Sequence, residues 1–317
     1  MRASPSTEPV ALRRGRGDAL LRLYRTDALV GLRRLLPAGA ASVVVTSPPY
    51  NLGVAYSTYR DRRPRSEYLA WLGKVGVAVQ RALAPKGSFF LNVAGAPKDP
   101  GLPFEIARVV GRELTLQNVI HWVKSISIDR EAVGRTHGLK RGLAVGHYKP
   151  VHSERYLHGA HEYILHFTHD GDVPLDRLAI GVPYADDSNV GRWHSGRSGL
   201  RDRGNTWFLP YRTIQRRKTD RPHPATFPPE LPEWCYRLHG VERIRLAVDP
   251  FVGIGASAIA AGRLGLPFVG FDVDAAYLEE ADRRLGREFP SAEGSQARLP
   301  GEARPTGGSS TPSSACG

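Results

Sequence analysis

Short apolar runs and longer amphipathic stretches take turns along most of this chain. Residues 20–24 and 42–45 read as strands, the second apolar enough to be buried on both faces. Between them Asp27 sits at the cap position of a short helix, which Pro37 and Gly39 end. Beyond position 66, Leu69, Leu72, Val75, Val79 and Leu83 keep three-and-four spacing. They predict a helix capped by Ser66 and stopped at Pro85-Lys86-Gly87. A strand follows over 88–93, a helix over 103–114 with Pro103 in its first turn, and strands over 117–123 and 161–167. After a long interruption come a helix over 228–240, a strand over 244–249, a small-residue helix over 256–264, a strand over 267–272 and a closing helix over 275–289. Strands alternating with helices predict an α/β fold around a mostly parallel sheet, with helices on both faces.

The places where the alternation fails are polar. Residues 1–18 are Arg-rich and 290–317 rich in Pro, Ser and Gly, so both read as disordered tails around one domain over 19–289. Residues 53–65 form a polar loop long enough to act as a lid or a nucleic-acid contact. Residues 125–160 hold His137, His147, His152 and His158, whose spacing matches no zinc pattern and which no cysteine assists. Phosphate contacts or plain surface positions suit them better, and no metal site is expected. Between Asp186 and Pro222, nine Lys and Arg stand against four Asp, with Trp193, Trp207, Phe208 and Tyr211 interleaved. That mixture, in an inserted segment over about 169–222, suits a surface that follows phosphates and stacks bases. Its candidate DNA contacts are Arg192, Arg197, Arg201, Arg203, Trp207, Arg216, Arg217 and Lys218.

Charge sharpens this picture. The 317 residues carry 44 Lys and Arg against 31 Asp and Glu, a formal +13, which favours a polyanionic partner and makes nucleic acid the first expectation. No apolar stretch is long enough to span a bilayer and the Arg-rich start lacks a signal-peptide centre, so a cytoplasmic protein is expected. Cys235 and Cys316 make no metal or disulfide pattern, and neither is placed as a nucleophile.

Two stretches carry candidate chemistry. In the first, the strand over 42–45 runs into Ser47-Pro48-Pro49-Tyr50, where two prolines fix φ and remove backbone donors. The turn lies at a strand's carboxyl end, where open α/β sheets bind ligands, and it presents a hydroxyl, carbonyls and an aromatic ring. In the second, the strand ending at Asp249 feeds Phe251-Val252-Gly253-Ile254-Gly255, then a helix and a strand ending at Asp272. A Gly-rich turn with an acid about 20 residues on is the pattern of a ribose-binding site. The third Gly of the dinucleotide pattern is missing, so a nucleoside without a pyrophosphate fits better than NAD.

The order of these parts resembles the permuted, beta-class arrangement of DNA amino-methyltransferases, in which Ser- or Asp-Pro-Pro-Tyr comes first, a target-recognition segment second and Phe-x-Gly-x-Gly last. The resemblance spans about residues 20–288 and includes His223-Pro224-Ala225-Thr226-Phe227. It implies a Rossmann-like fold dependent on S-adenosylmethionine. Phe251, Gly253 and Gly255 would line the cofactor with Asp249 before them, Asp272 would hold its ribose, Asp27 would lie near its adenine, and His223 and Phe227 would flank its methionine end. Ser47, Pro48, Pro49 and Tyr50 would form the catalytic turn. The implied reaction is site-specific methylation of a flipped base in double-stranded DNA, with room for a cognate restriction endonuclease as partner. Ser at the head of the turn is associated with cytosine N4 and Asp with adenine N6, so N4-cytosine is expected and N6-adenine is the alternative. A non-catalytic nucleic-acid-binding protein on the same scaffold is the alternative of another class.

Overall fold

The computed structural model describes residues 8–54, 59, 61–133, 141–146, 152–184, 190, 199–210 and 226–292. Nine strands form its main sheet: β1 (Ala11–Arg14), β2 (Leu20–Arg25), β3 (Ala41–Thr46), β4 (Leu83–Val93), β5 (Thr115–Val123), β6 (His161–Thr168), β7 (Thr206–Phe208), β8 (Ala247–Asp249) and β9 (Phe268–Asp272). They lie in the order β1-β2-β9-β8-β3-β4-β6-β5-β7. β1 runs antiparallel to β2, and β6 runs antiparallel to both β4 and β5. The remaining neighbours are parallel, as the strand–helix alternation requires.

Five helices cover the sheet: α1 (Arg65–Ala82), α2 (Leu102–Val110), α3 (Glu230–His239), α4 (Ala256–Leu264) and α5 (Ala275–Gly286). All six residues of β3 are buried. Val43 and Val45 join the core that holds Cys235 of α3, Ile259 of α4 and Leu278 of α5, while Val44 joins the core of Leu72, Val79 and Ile106 from α1 and α2. That alternation is the strand's period of two, and each of these valines gains about 1.5 kcal/mol or more from leaving water. β3 and β8 are parallel neighbours. The chain leaves β8 through α4 toward β9 on one side, and β3 through α1 toward β4 on the other. The crevice at such a switch point is where the functional residues meet.

Several boundaries differ from expectation for identifiable reasons. Residues 11–14 are not part of a tail. β1 closes the free edge of β2, Arg13 makes a bidentate pair with Asp282 of α5 at 2.7 Å, and the Ala292 N–H donates to the Leu12 carbonyl at 3.1 Å. Charged side chains suit a sheet edge, which is why the stretch looked unstructured. Helix α1 starts at Arg65 after Pro64 rather than from a Ser66 cap, and it ends at Ala82, since β4 begins at Leu83 and includes Pro85. The basic middle segment is not wholly an insertion, because β7 completes the main sheet beside β5. Among the described residues, no helix is long and apolar enough to cross a membrane.

Candidate functional site

Ser47 to Tyr50 follow β3 directly, and the turn is held from both sides. The Tyr68 hydroxyl of α1 donates to the Pro49 carbonyl at 2.8 Å. No described group bonds the Pro48 carbonyl, and Pro48 lines the cleft with Ser47. Asn51 adopts φ +59, a left-handed conformation that Asn tolerates better than most residues. Its N–H and those of Leu52 and Val54 converge on the buried Asp61 carboxylate at 2.8, 3.1 and 3.0 Å. The Asn51 amide meanwhile clasps the backbone of Arg63, accepting at 2.6 Å and donating at 2.9 Å. A single carboxylate therefore fixes the exit of the turn.

The glycine turn after β8 is organised by Asp249, which is 1% exposed. Asp249 accepts from the Thr46 and Ser257 hydroxyls at 2.5 Å each and from the Phe251 N–H at 2.9 Å. Burial raises its pKa to about 6. This residue ties β3 to the glycine turn and does not line the cleft, which corrects its assignment as a cofactor contact. Gly255 likewise stays out of the cleft. It is left-handed at φ +80 at the start of α4, and a Cβ there would lie 3.1 Å from that of Ala281. Gly253, at φ +50, does line the cleft.

Asp272, at the end of β9, accepts the N–H groups of Gly253 and Asp274 at 2.9 Å each, and burial raises its pKa. Each oxygen keeps capacity for a further donor, as two ribose hydroxyls require. Phe251, Val252, Ile254 and Tyr277 provide apolar walls for a purine. Thr226 and Phe227 line the same cleft as Pro48 and Pro49. Asp27 lines it too while capping the turn after β2, accepting from the Leu29 and Val30 N–H groups at 2.9 and 3.3 Å. The donor set thus fits S-adenosylmethionine.

Three cleft residues had no signal in the sequence. Trp71 of α1 stands edge-on to Phe251 at 5.5 Å, and the Arg63 guanidinium lies 5.0 Å from the Tyr59 ring and 5.3 Å from that of Trp71. These residues come from the loop and helix after the turn, and no local pattern marks them.

The basic segment requires corrections. Trp207 is 1% exposed on β7, donates its indole N–H to the Gly204 carbonyl at 3.1 Å and packs against Trp234. It is a core residue and cannot stack on a base. Arg203 is also structural, bonding the Ile180 carbonyl at 2.8 Å and lying 4.0 Å over the Trp234 ring. Arg201 is exposed in a short antiparallel pair with Val182. Arg192, Arg197, Arg216, Arg217, Lys218 and His223 lie outside the described residues. Cys235 is fully buried and its thiol is pushed well above the usual range, so it is no nucleophile.

Comparison with known proteins bears on the same cleft. The chain is similar to the PvuII DNA methyltransferase (cytosine-N4-specific), with a TM-score of 0.61 at 17% identity over 89% of this chain and 90% of that one. It is also similar to a Thermus thermophilus protein solved in complex with S-adenosyl-L-methionine, at TM-score 0.53 and 23% identity over 85% and 95% of the two chains. A curated relative is the type II methyltransferase M.BglII of Bacillus subtilis, 28% identical over 281 residues, covering 85% of this chain and 70% of the relative. The cleft lies at the switch point and faces a rigid turn of hydroxyl and prolyl carbonyls, and the chain that carries it is a methyltransferase of the kind that uses S-adenosylmethionine. More narrowly, the chain belongs to the N6/N4 family of DNA methylases, to which residues 41–283 match.

Proposed function

We propose that the protein is a beta-class enzyme that methylates the exocyclic N4 of cytosine in duplex DNA. The observation that carries this reading is a serine, not an aspartate, at the head of the turn, lining the cleft beside Pro48. S-adenosylmethionine supplies an electrophilic methyl group on a sulfonium. Asp272 holds its ribose, Phe251 and Gly253 line its path, Asp27 lies along the same cleft, and Phe227 with His223 flanks its methionine end.

The chain's own residues address the weakness of the nucleophile. An exocyclic base amine has its lone pair delocalised into the ring. When Ser47 Oγ and the Pro48 carbonyl accept its two N–H bonds, the nitrogen turns tetrahedral, and fixed acceptors stabilise the positive charge that develops there. The base must leave the helix to reach them, and the Tyr50 ring offers a face on which it stacks. Net charge of +13 supports the attraction to DNA, with the exposed Arg201 and Arg192, Arg197, Arg216, Arg217 and Lys218 as its contacts. The type II naming of M.BglII supports a cognate restriction endonuclease as partner.

The test is to incubate the protein with unmethylated bacterial DNA and S-adenosylmethionine and to identify the nucleoside product by mass spectrometry. N4-methylcytosine is expected. N6-methyladenine would keep the fold, cofactor and site while showing that Ser47 does not dictate the base.

A further inference from the structure

Behind the catalytic turn lies a polar cluster that no sequence motif marks. The Tyr50 hydroxyl stands 2.6 Å from Ser47 Oγ and donates to Glu162 Oε2 at 3.1 Å. Asn92 Nδ2 donates to both the Tyr50 oxygen and Glu162 Oε2, at 2.7 Å each. Lys124 Nζ holds the other carboxylate oxygen at 2.8 Å. Asn92 is on β4, Glu162 on β6, and Lys124 follows β5, so three neighbouring strands deliver these side chains to one point. Asn92 and Glu162 are 2% and 8% exposed. Asn92 Oδ1 is buried with no partner, an arrangement that costs about 1–3 kcal/mol and is unexplained by packing.

Proton counting gives the cluster a direction. A hydroxyl has one proton and two lone pairs. The Tyr50 proton is committed to a carboxylate, which can only accept, so the Tyr50 oxygen receives the Ser47 proton. Ser47 Oγ is then left with lone pairs alone to offer the cleft, which is what an amine N–H needs. We propose that Glu162, positioned by Asn92 and Lys124, sets Ser47 as an acceptor and takes up the proton that the methylated amine releases. This rests on the methyl-transfer reading given above.

The step balances as follows. As the amine nitrogen forms its bond to the methyl carbon, the carbon–sulfur bond of the sulfonium breaks and a neutral thioether leaves, so the nitrogen is cationic and holds one proton too many. That proton passes to Ser47 Oγ as the Ser47 proton passes to the Tyr50 oxygen and the Tyr50 proton to Glu162. The products are a neutral methylated amine and a neutral Glu162 carboxyl, which returns its proton to solvent past the partly exposed Lys124. The charged group facing Glu162 is Lys124, and beyond it lie the titratable rings of His161 and His121, 5.6 Å apart. The pKa of His161 is lowered by burial and by its neighbours His121 and Lys124, so it is neutral where the relay works.

Glu162→Gln keeps the shape and removes the acceptor charge. We expect kcat near pH 7 to fall about 100-fold, with affinities for S-adenosylmethionine and DNA unchanged and the acidic limb of the kcat–pH profile abolished. Glu162→Asp should recover about a tenfold part of that loss. In parallel, the Cζ resonance of labelled Tyr50 should titrate with Glu162 in the wild type and stay flat in Glu162→Gln. Wild-type kcat in Glu162→Gln, a persistent acidic limb, or a loss matched by weakened cofactor binding would overturn the relay. The resonance separates the two readings. Coupling without any methyl transfer by the wild type would sink the assigned reaction, while transfer without coupling would sink the relay.

Discussion

Two serines are each joined to a chain of hydrogen bonds that includes a residue of β4, and only one of them lines the cleft. In the middle of β4, one helix-facing position before Phe90, Ser88 Oγ lies 2.9 Å from His166 Nε2 and 2.9 Å from His239 Nδ1, while His166 Nδ1 meets the Asn118 amide at 3.0 Å. Asn118 donates to His166, His166 to Ser88 and Ser88 to His239. Ser88 is fully buried and its hydroxyl is engaged on both sides. Four residues along β4, on the same face, Asn92 belongs to the Ser47–Tyr50–Glu162 chain. Phe90 separates the two clusters and stacks on His166 at 4.4 Å.

The difference lies in how each chain ends. The Ser88 chain begins at an amide and ends at a neutral imidazole, and its serine is wholly enclosed, so nothing is left to react. The Ser47 chain ends at a carboxylate with a lysine beside it, and it begins at an oxygen whose lone pairs open on the cleft. A fold can satisfy a buried serine completely and so make it structural. Catalysis needs one left unfinished.

Ser47→Ala should break the comparison most strongly. Turnover is expected to fall by about 10²–10³, worth up to about 4 kcal/mol of barrier, with melting temperature and cofactor affinity unmoved. Single-turnover methyl transfer and equilibrium dialysis would show it, and wild-type rates would move the reaction away from this turn. Acid should come next. Burial lowers the pKa of His166 to about 3 and that of His239 to about 4, so their stability is present above the unfolded value of 6.5 and is lost as pH falls toward those values. Asp249 acts in the opposite sense. Its pKa of about 6 favours the protonated fold, so its contribution grows as pH drops below 6. Between pH 7 and pH 5 the two histidines outweigh the one carboxyl, and denaturant unfolding should show a net loss of about 2 kcal/mol.

The cluster that lines the cleft was half legible in the sequence and the Ser88 cluster hardly at all. Ser47-Pro48-Pro49-Tyr50 and Phe251 to Gly255 could be read because each is contiguous, with backbone chemistry that prolines and glycines alone impose. Asp272 could be read from its distance to the turn. Asn92, Glu162 and Lys124 could not, because only the sheet order β4-β6-β5 brings them together. A Glu inside an alternating strand looks like an outward charge until its neighbours are known. Trp207 misled for the converse reason, since a tryptophan among arginines resembles a base-stacking residue, yet its strand turns it into the core.

Ser88→Ala should leave kcat unchanged and cost about 2 kcal/mol of stability, because it strands a donor on His166 and an acceptor on His239 in a site that water does not reach. A fall in turnover without a fall in stability would mean that the two clusters communicate through Phe90. The smallest change expected comes from Asn118→Ala. Asn118 is partly exposed on β5, so water can replace its amide, and the loss should be about 1 kcal/mol. Its value lies in the tautomer. With the amide donating to Nδ1, His166 must carry its proton on Nε2 to reach Ser88, and nitrogen-15 shifts should report that form in the wild type. If the variant keeps the same tautomer, the order of the chain is set by Ser88 and His239. If it becomes a mixture, Asn118 sets it, and the direction of a buried chain depends on its first donor just as that of the catalytic chain depends on its last acceptor.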